Sequence, residues 1–240
     1  MKLSIIIPVF NEEKTIGKIL EKVSDVKIPK VEKEIVVVDD GSTDATASVI
    51  SNFTPPAGGS NFKIFRHGKN LGKGAAVRTG IENSAGEYII IQDADLEYNP
   101  EQIKELIKPI LGKEAEVVYG TRLQRPPNLK RDEKEPLFLL HYFGNRFLSL
   151  MTSILYGQWI TDMETCYKLF PRNALKGIKL NARAFDFEPE ITAKLLKNGY
   201  KIQEIPIVTK PRKYSEGKKL NTFRDGFIAL WSIIKYRFID

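Results

Sequence analysis

The sequence has one cysteine, Cys166, and two histidines. One thiol closes no internal disulfide, and so small a Cys/His set builds no zinc site, so any metal must be held by oxygen. Long hydrophobic runs are missing too. The longest largely apolar stretch without Asp, Glu, Lys or Arg, Phe147 to Thr161, has 15 residues, short of the roughly 18 to 20 that span a bilayer. No transmembrane helix is expected. The N-terminus enters a strand-like run at once, without the small-residue cleavage pattern of a secretory signal. A cytoplasmic location follows, with a peripheral place on a membrane left open. What is present is an ordinary globular composition: 240 residues, 42% hydrophobic and 28% charged. That suits one domain with a full core and excludes disorder as the main state.

Positive charge is unevenly spread. Residues 206–240 carry eight Lys/Arg against three acids, +5 of the whole chain's +7, which leaves +2 for the first 205 residues. A basic, aromatic C-terminal segment can face nucleic acid, an anionic membrane or an anionic substrate, or be a solvated face. Nucleic acid is the weakest of these, because it explains none of the acids described below.

Apolar β-branched runs at Leu3 to Val9, Ile35 to Val38, Phe62 to Phe65, Tyr88 to Ile91 and Val117 to Tyr119 read as buried strands. Between the first two, Ile16, Ile19, Leu20 and Val23 share one face of a helix beginning near residues 11–13. A second helix is expected from Ser42 or Asp44. The alternation predicts an α/β fold, a parallel sheet covered by helices on both faces, whose ligands bind beyond the carboxyl ends of the strands. After Tyr119 the chain is polar and proline-punctuated, a mobile loop by its composition. A long apolar helical stretch then covers Leu137 to Trp159. A helix follows over about 188–197, a strand over 202–208, and a last apolar, basic helix over about 222–238.

The strand ends carry the chemistry. After the first come Pro8, Phe10 and Glu12, and after the second Asp39, Asp40 and Gly41. Such carboxylates can accept bonds from a base N–H or from ribose hydroxyls, or can cap helices. The fourth strand runs into Asp93-Ala94-Asp95. Strand periodicity puts both carboxylates on one side with Ala94 opposite, able to share a Mg or Mn ion, with Glu97 able to join them. Eleven aspartates yield about half an Asp-x-Asp pair by chance, so position carries the argument. Gly72-Lys73-Gly74 at a helix start can admit a diphosphate, although the spacing is not that of an ATPase loop. Arg122, after the fifth strand, can meet phosphate oxygens in a bidentate way. Asp162 and Glu164 follow the apolar helix, and residues 211–219 form a cationic loop.

Together these motifs resemble family 2 glycosyltransferases of the GT-A fold, in the branch of dolichyl-phosphate mannose and glucose synthases and their polyprenyl-phosphate relatives. The resemblance runs over nearly the whole chain, in order: Pro8 to Glu12, Val38 to Ser42, Asn70 to Gly74, Asp93 to Asp95, Gly120 to Arg122, Asp162 to Phe170 and Arg212 to Lys219. It implies a Rossmann-like, mostly parallel sheet flanked by helices, with acceptor-side helices at the C-terminus. The expected plan is a single domain over 1–240. Its nucleotide-sugar half is 1–122. Its acceptor half is 123–240, with a mobile loop at 123–135 and a basic amphipathic tail at 211–240.

By the same resemblance Pro8, Phe10, Glu12, Asp39, Asp40, Lys73 and Ala94 contact the donor. Asp93, Asp95 and Glu97 hold the metal, Glu97 standing where some relatives have Gln. Arg122, Arg146, Arg212 and Lys218 gather donor and acceptor phosphates, while Asp162 and Glu164 lie at the sugar and acceptor end. The implied reaction moves a hexose from GDP-mannose or UDP-glucose to a polyprenyl or dolichyl phosphate, by one in-line displacement that inverts the anomeric carbon. Acceptance by a saccharide or protein hydroxyl, which needs Asp162 or Glu164 as base, stays open, as does a non-catalytic nucleotide-sugar-binding subunit. Many relatives carry membrane helices that this chain lacks. Leu137 to Trp159 and the apolar residues of the tail can replace them at the membrane surface, or else pack in the core or a homo-oligomer interface. A separate membrane subunit is a further option.

Overall fold

A computed structural model describes residues 1–55, 61–124, 126–127, 136–212 and 222–239. Lys218 and most of the predicted loop 123–135 lie outside them. Its sheet comprises β1 (Lys2–Val9), β2 (Glu32–Asp39), β3 (Asn61–Arg66), β4 (Tyr88–Ile91), β5 (Val117–Thr121), β6 (Lys168–Pro171) and β7 (Ile202–Pro206), ordered β3-β2-β1-β4-β6-β5-β7. The helices are α1 (Ile16–Asp25), α2 (Thr46–Ser51), α3 (Lys73–Asn83), α4 (Ile103–Leu111), α5 (Pro136–Tyr156), α6 (Phe187–Lys197) and α7 (Thr222–Phe238).

The α/β expectation holds, with one difference. Every paired strand runs parallel except β6, which is antiparallel to both β4 and β5. Ile5, Ile6, Ile7, Val36, Val37, Ile89 and Ile90 are fully buried. Both faces of the central strands are covered, which is why they read as continuous apolar runs rather than alternating ones. Ile16, Ile19, Leu20 and Val23 do form the buried face of α1, although the helix starts a few residues later than expected, after a turn on Glu12.

Parallel order aligns the carboxyl ends of β1, β2, β4 and β5 along one edge. The reversed β6 presents its amino end there, so the segment before it, including Asp162 and Glu164, reaches the same edge. The predicted apolar stretches divide between core and surface. On α5, Leu140, Phe143, Phe147, Leu150 and Ile154 are exposed at alternating spacings of three and four, one stripe of the helix. On α7, Ala229 and Ile233 are buried while Phe227, Trp231 and Phe238 face outward. Among the described residues no helix is long and apolar enough to cross a membrane.

Candidate active site

At the β1 and β2 ends the backbone is pinned by short polar side chains. Asn11 takes a left-handed conformation, φ +48°. Its N–H donates to Ser42 Oγ (2.9 Å) and its Oδ1 accepts from Thr43 N (2.8 Å). Asp39 accepts from Ser42 N (2.9 Å) and pairs with Arg66 (3.1 Å). Asp40 is engaged within the protein: its oxygens accept from Leu71 N (2.9 Å) and Gly72 N (2.8 Å), and His67 Nδ1 lies 2.6 Å away. Asp40 therefore shapes the turn that leads into α3. That turn is crowded, since a Cβ on Gly72 (φ +96°) would lie 2.1 Å from the Arg183 carbonyl oxygen.

The turn delivers Lys73 to the centre of the site. Its Nζ lies 2.8 Å from Asp93 Oδ1 and 2.8 Å from Glu188 Oε1. Burial works against the ammonium charge, and Asp93 and its neighbours more than offset it, so the pKa stands well above the ordinary lysine value. The periodicity argument for Asp93 and Asp95 needs correction: β4 stops at Ile91, and the pair lies in a turn ending at Leu96, φ +65°. They are nevertheless close. Burial first, then the charges of Asp93 and Glu97, push the Asp95 carboxyl up to about 7.

Arg212 closes this end. It donates twice to Glu12 (3.2 and 2.7 Å) and once to the Asp95 carbonyl (3.0 Å), while its own N–H is held by Glu97 Oε1 (3.0 Å). Among the described residues no group of three or more His, Cys, Asp or Glu converges as a metal cage. Two repelling carboxylates still suit a hard divalent cation whose remaining ligands come from water and phosphate oxygens.

On the other side of the edge, Arg122 and Asp162 form a bidentate pair, 2.7 Å for each bond, and Arg122 N adds a third bond to the same carboxylate (2.9 Å). Asp162 is fully buried. Glu204 accepts from Thr161 N (2.8 Å) and Asp162 N (3.0 Å), fixing that segment to β7. Burial and then the Glu188 charge push the Glu164 carboxyl up to about 8. Burial also lowers buried Lys168 to about 8, against the pull of Glu188 and Glu164. Arg146 lines a cavity of about 260 Å³ with Phe147, Leu150, Trp159 and Ile160.

The structure thus brings Glu12, Lys73, Asp93, Asp95, Glu97 and Arg212 together on one side, and Arg122, Asp162 and Glu164 on the other. Arg146 lines the cavity beside this second group and donates to the Leu123 carbonyl (3.4 Å), next to Arg122. Sequence reasoning missed Glu188, Lys168 and Glu204. Glu188 looks like an acid at the favourable end of a helix. Lys168 had a visible signal, a lone charge inside the apolar run Tyr167 to Phe170.

A sheet of this order, with one reversed strand and its ligand-binding edge at the carboxyl ends of the parallel strands, has the GT-A fold. The chain belongs to glycosyl transferase family 2, whose model matches residues 4–178. A UDP-N-acetylglucosamine–dolichyl-phosphate N-acetylglucosaminyltransferase of Methanococcus voltae is 29% identical over 232 residues, 90% of this chain and 89% of its own. A dolichyl-phosphate beta-glucosyltransferase of Trichomonas vaginalis is 30% identical over 220 residues, 85% of this chain and 64% of its own. Among solved structures, glucosyl-3-phosphoglycerate synthase from Mycobacterium tuberculosis with Mg2+ and UDP superposes with a TM-score of 0.72 at 17% identity, covering 100% of this chain and 80% of its own. That likeness is one of fold.

Proposed function

We propose that this chain is an inverting hexosyltransferase that moves a sugar from a UDP- or GDP-linked donor to a polyprenyl or dolichyl phosphate at the cytosolic face of a membrane. The observation that carries the reading is the engagement of Asp162, the fully buried acid on the acceptor side. It is locked by three bonds to Arg122, so it is not free to take the proton that a hydroxyl acceptor must lose. A phosphate monoester needs no such base, since its second pKa is about 6 and its oxygen is already anionic. The relatives named for dolichyl phosphate support the same acceptor class, and the one named for a UDP-sugar favours UDP.

Pro8, Phe10, Glu12, Asp39 and Asp40 would form the nucleotide end, with Asp40 acting through the turn it holds. Lys73 would meet the donor diphosphate, and Arg122, kept charged by Asp162, would face developing charge at the reacting end. Asp93 and Asp95 would hold a Mg or Mn ion, which supplies countercharge for the departing diphosphate. An acceptor phosphate oxygen attacks the anomeric carbon in line, its bond to the diphosphate breaks, and the nucleoside diphosphate leaves with that electron pair. Arg146 with its apolar neighbours suits a phosphate carrying a hydrocarbon tail, and the outward stripes of α5 and α7 suit a lipid surface.

The test is a transfer assay with UDP-glucose, UDP-N-acetylglucosamine and GDP-mannose, each with Mg or Mn, with and without a short polyprenyl phosphate. Nucleoside diphosphate released only when lipid and metal are both present is the expected result. Transfer to a saccharide hydroxyl, or no transfer to any lipid phosphate, would overturn the reading.

A further inference from the structure

The turn that carries Asp93 and Asp95 is tied at both of its ends to one buried cluster. Gln92, fully buried just after β4, holds it from inside. Its Nε2 donates to the Asp93 carbonyl (3.0 Å) and faces the Tyr98 carbonyl at 3.5 Å, so one amide spans the start and the finish of the turn. The amide is itself oriented, because its Oε1 accepts from Tyr167 Oη (2.6 Å). Tyr98 Oη accepts from Cys166 N (3.1 Å), and the rings of Tyr98 and Tyr167 pack with centroids 4.8 Å apart. Both anchors, Cys166 and Tyr167, belong to the segment entering β6. A buried amide with both of its ends engaged makes what it touches rigid.

What the cluster holds is a turn under repulsion. After burial, the charges of Asp93 and Glu97 weigh most on Asp95. Like charges on an unrestrained turn swing apart, and a cation that needs both must gather them again at a cost in ordering. A turn clasped at its two ends keeps them gathered before the cation arrives. Gln92 and the two tyrosines reach the acids through the backbone of the turn, which makes them positioning residues. We propose that Gln92 and Tyr167, with Tyr98 closing the far end, preset the Asp93–Asp95 turn for a divalent cation and so set how tightly that cation binds. This rests on the assignment of Asp93 and Asp95 to the cation made above, and adds to it the residues that keep the pair in place.

The chemistry of the clasp separates this role from plain stability. Removing one partner of a buried hydrogen bond strands the other, whereas replacing both by apolar groups of similar shape is far less costly. The double variant Gln92→Leu/Tyr167→Phe should therefore melt above Gln92→Leu alone, although neither holds the Asp93 carbonyl. Mn affinity is read by electron paramagnetic resonance, from the loss of the free-ion signal, with UDP or GDP present; calorimetry gives the affinity for each nucleotide without metal. Both variants should bind Mn about tenfold more weakly than wild type, the size expected when a group supporting a metal ligand is removed. Both should bind nucleotide alone within about twofold of wild type. Mn affinity that recovers along with the melting temperature would make the cluster a stability element only, and the inference fails. An equal loss of metal-free nucleotide binding overturns it as well, because the whole site has then changed. Wild-type Mn affinity in both variants removes the positioning role and leaves glycosyl transfer standing. A wild type that binds nucleotide but no Mn removes the cation assignment and this inference with it, and one that binds neither removes the glycosyl-transfer reading itself.

Discussion

Removing Asp162 should cost far more than removing an exposed acid, because it strands a guanidinium. Arg122 is 23% exposed at its side chain and Asp162 is 0% exposed, with three bonds between them. Burial disfavours the Arg122 charge and Asp162 more than offsets that, leaving its pKa above the ordinary arginine value, so it stays charged when its partner goes. Breaking one side of such a pair costs about 3–5 kcal/mol. Asp162→Ala should therefore lose about 3–5 kcal/mol in urea unfolding. The double variant Arg122→Met/Asp162→Leu should recover at least half of that, since an apolar pair of similar size avoids the stranded charge. Activity should not return in the double variant. A single-variant loss below about 1 kcal/mol, or a double variant no better than the single, would refute the account of this pair.

Three other outcomes follow from the geometry. Gly72→Ala should cost more than about 2 kcal/mol, from positive φ and collision with the Arg183 carbonyl; denaturation within about 0.5 kcal/mol of wild type would contradict it. Asp95→Asn relieves repulsion from Asp93 and Glu97, so it should melt no lower than wild type while losing Mg-dependent transfer; retained transfer at equal Mg would sink the assignment of Asp95 to the cation. For Glu164, the folded carboxyl stands at about 8 against an ordinary 4.5, so the folded state binds the extra proton and stability falls as pH rises between those values. The slope limit is about 1.4 kcal/mol per pH unit. Halved for a side chain partly reached by solvent, it predicts roughly 2 kcal/mol lost from pH 5 to 8. Glu164→Gln should flatten the pH-stability curve by that amount, and an unchanged curve would count against the buried acid.

Legibility in the sequence followed the range of each interaction. β1, β2 and β4 were plain because strands buried on both faces need unbroken Val and Ile. The last helix was readable to its ends, Thr222–Phe238, because its apolar spacing is local. β6 was not, since four residues with a lysine among them fall below any periodicity signal. The motif acids were visible as motifs, but their partners were not. Arg122 finds Asp162 across 40 positions and Arg212 finds Glu12 across 200, contacts set by sheet order rather than by spacing. The two-residue period failed for Asp93 and Asp95 because the strand had already ended.

The reversal of β6 has an architectural effect on the segment that precedes it. The chain leaves the sheet after Thr121 and re-enters at Lys168, beside Tyr119. Both gateposts are fastened, by Thr121 Oγ1 to Thr161 Oγ1 at 2.7 Å and by Arg122 to Asp162. The excursion between them, α5 included, is therefore a closed loop with departure and return at the same edge. Its length and surface can change without shifting the register of any strand. The sheet and the edge that carries Asp93, Arg122 and Asp162 stay fixed while the surface of this excursion is free to vary.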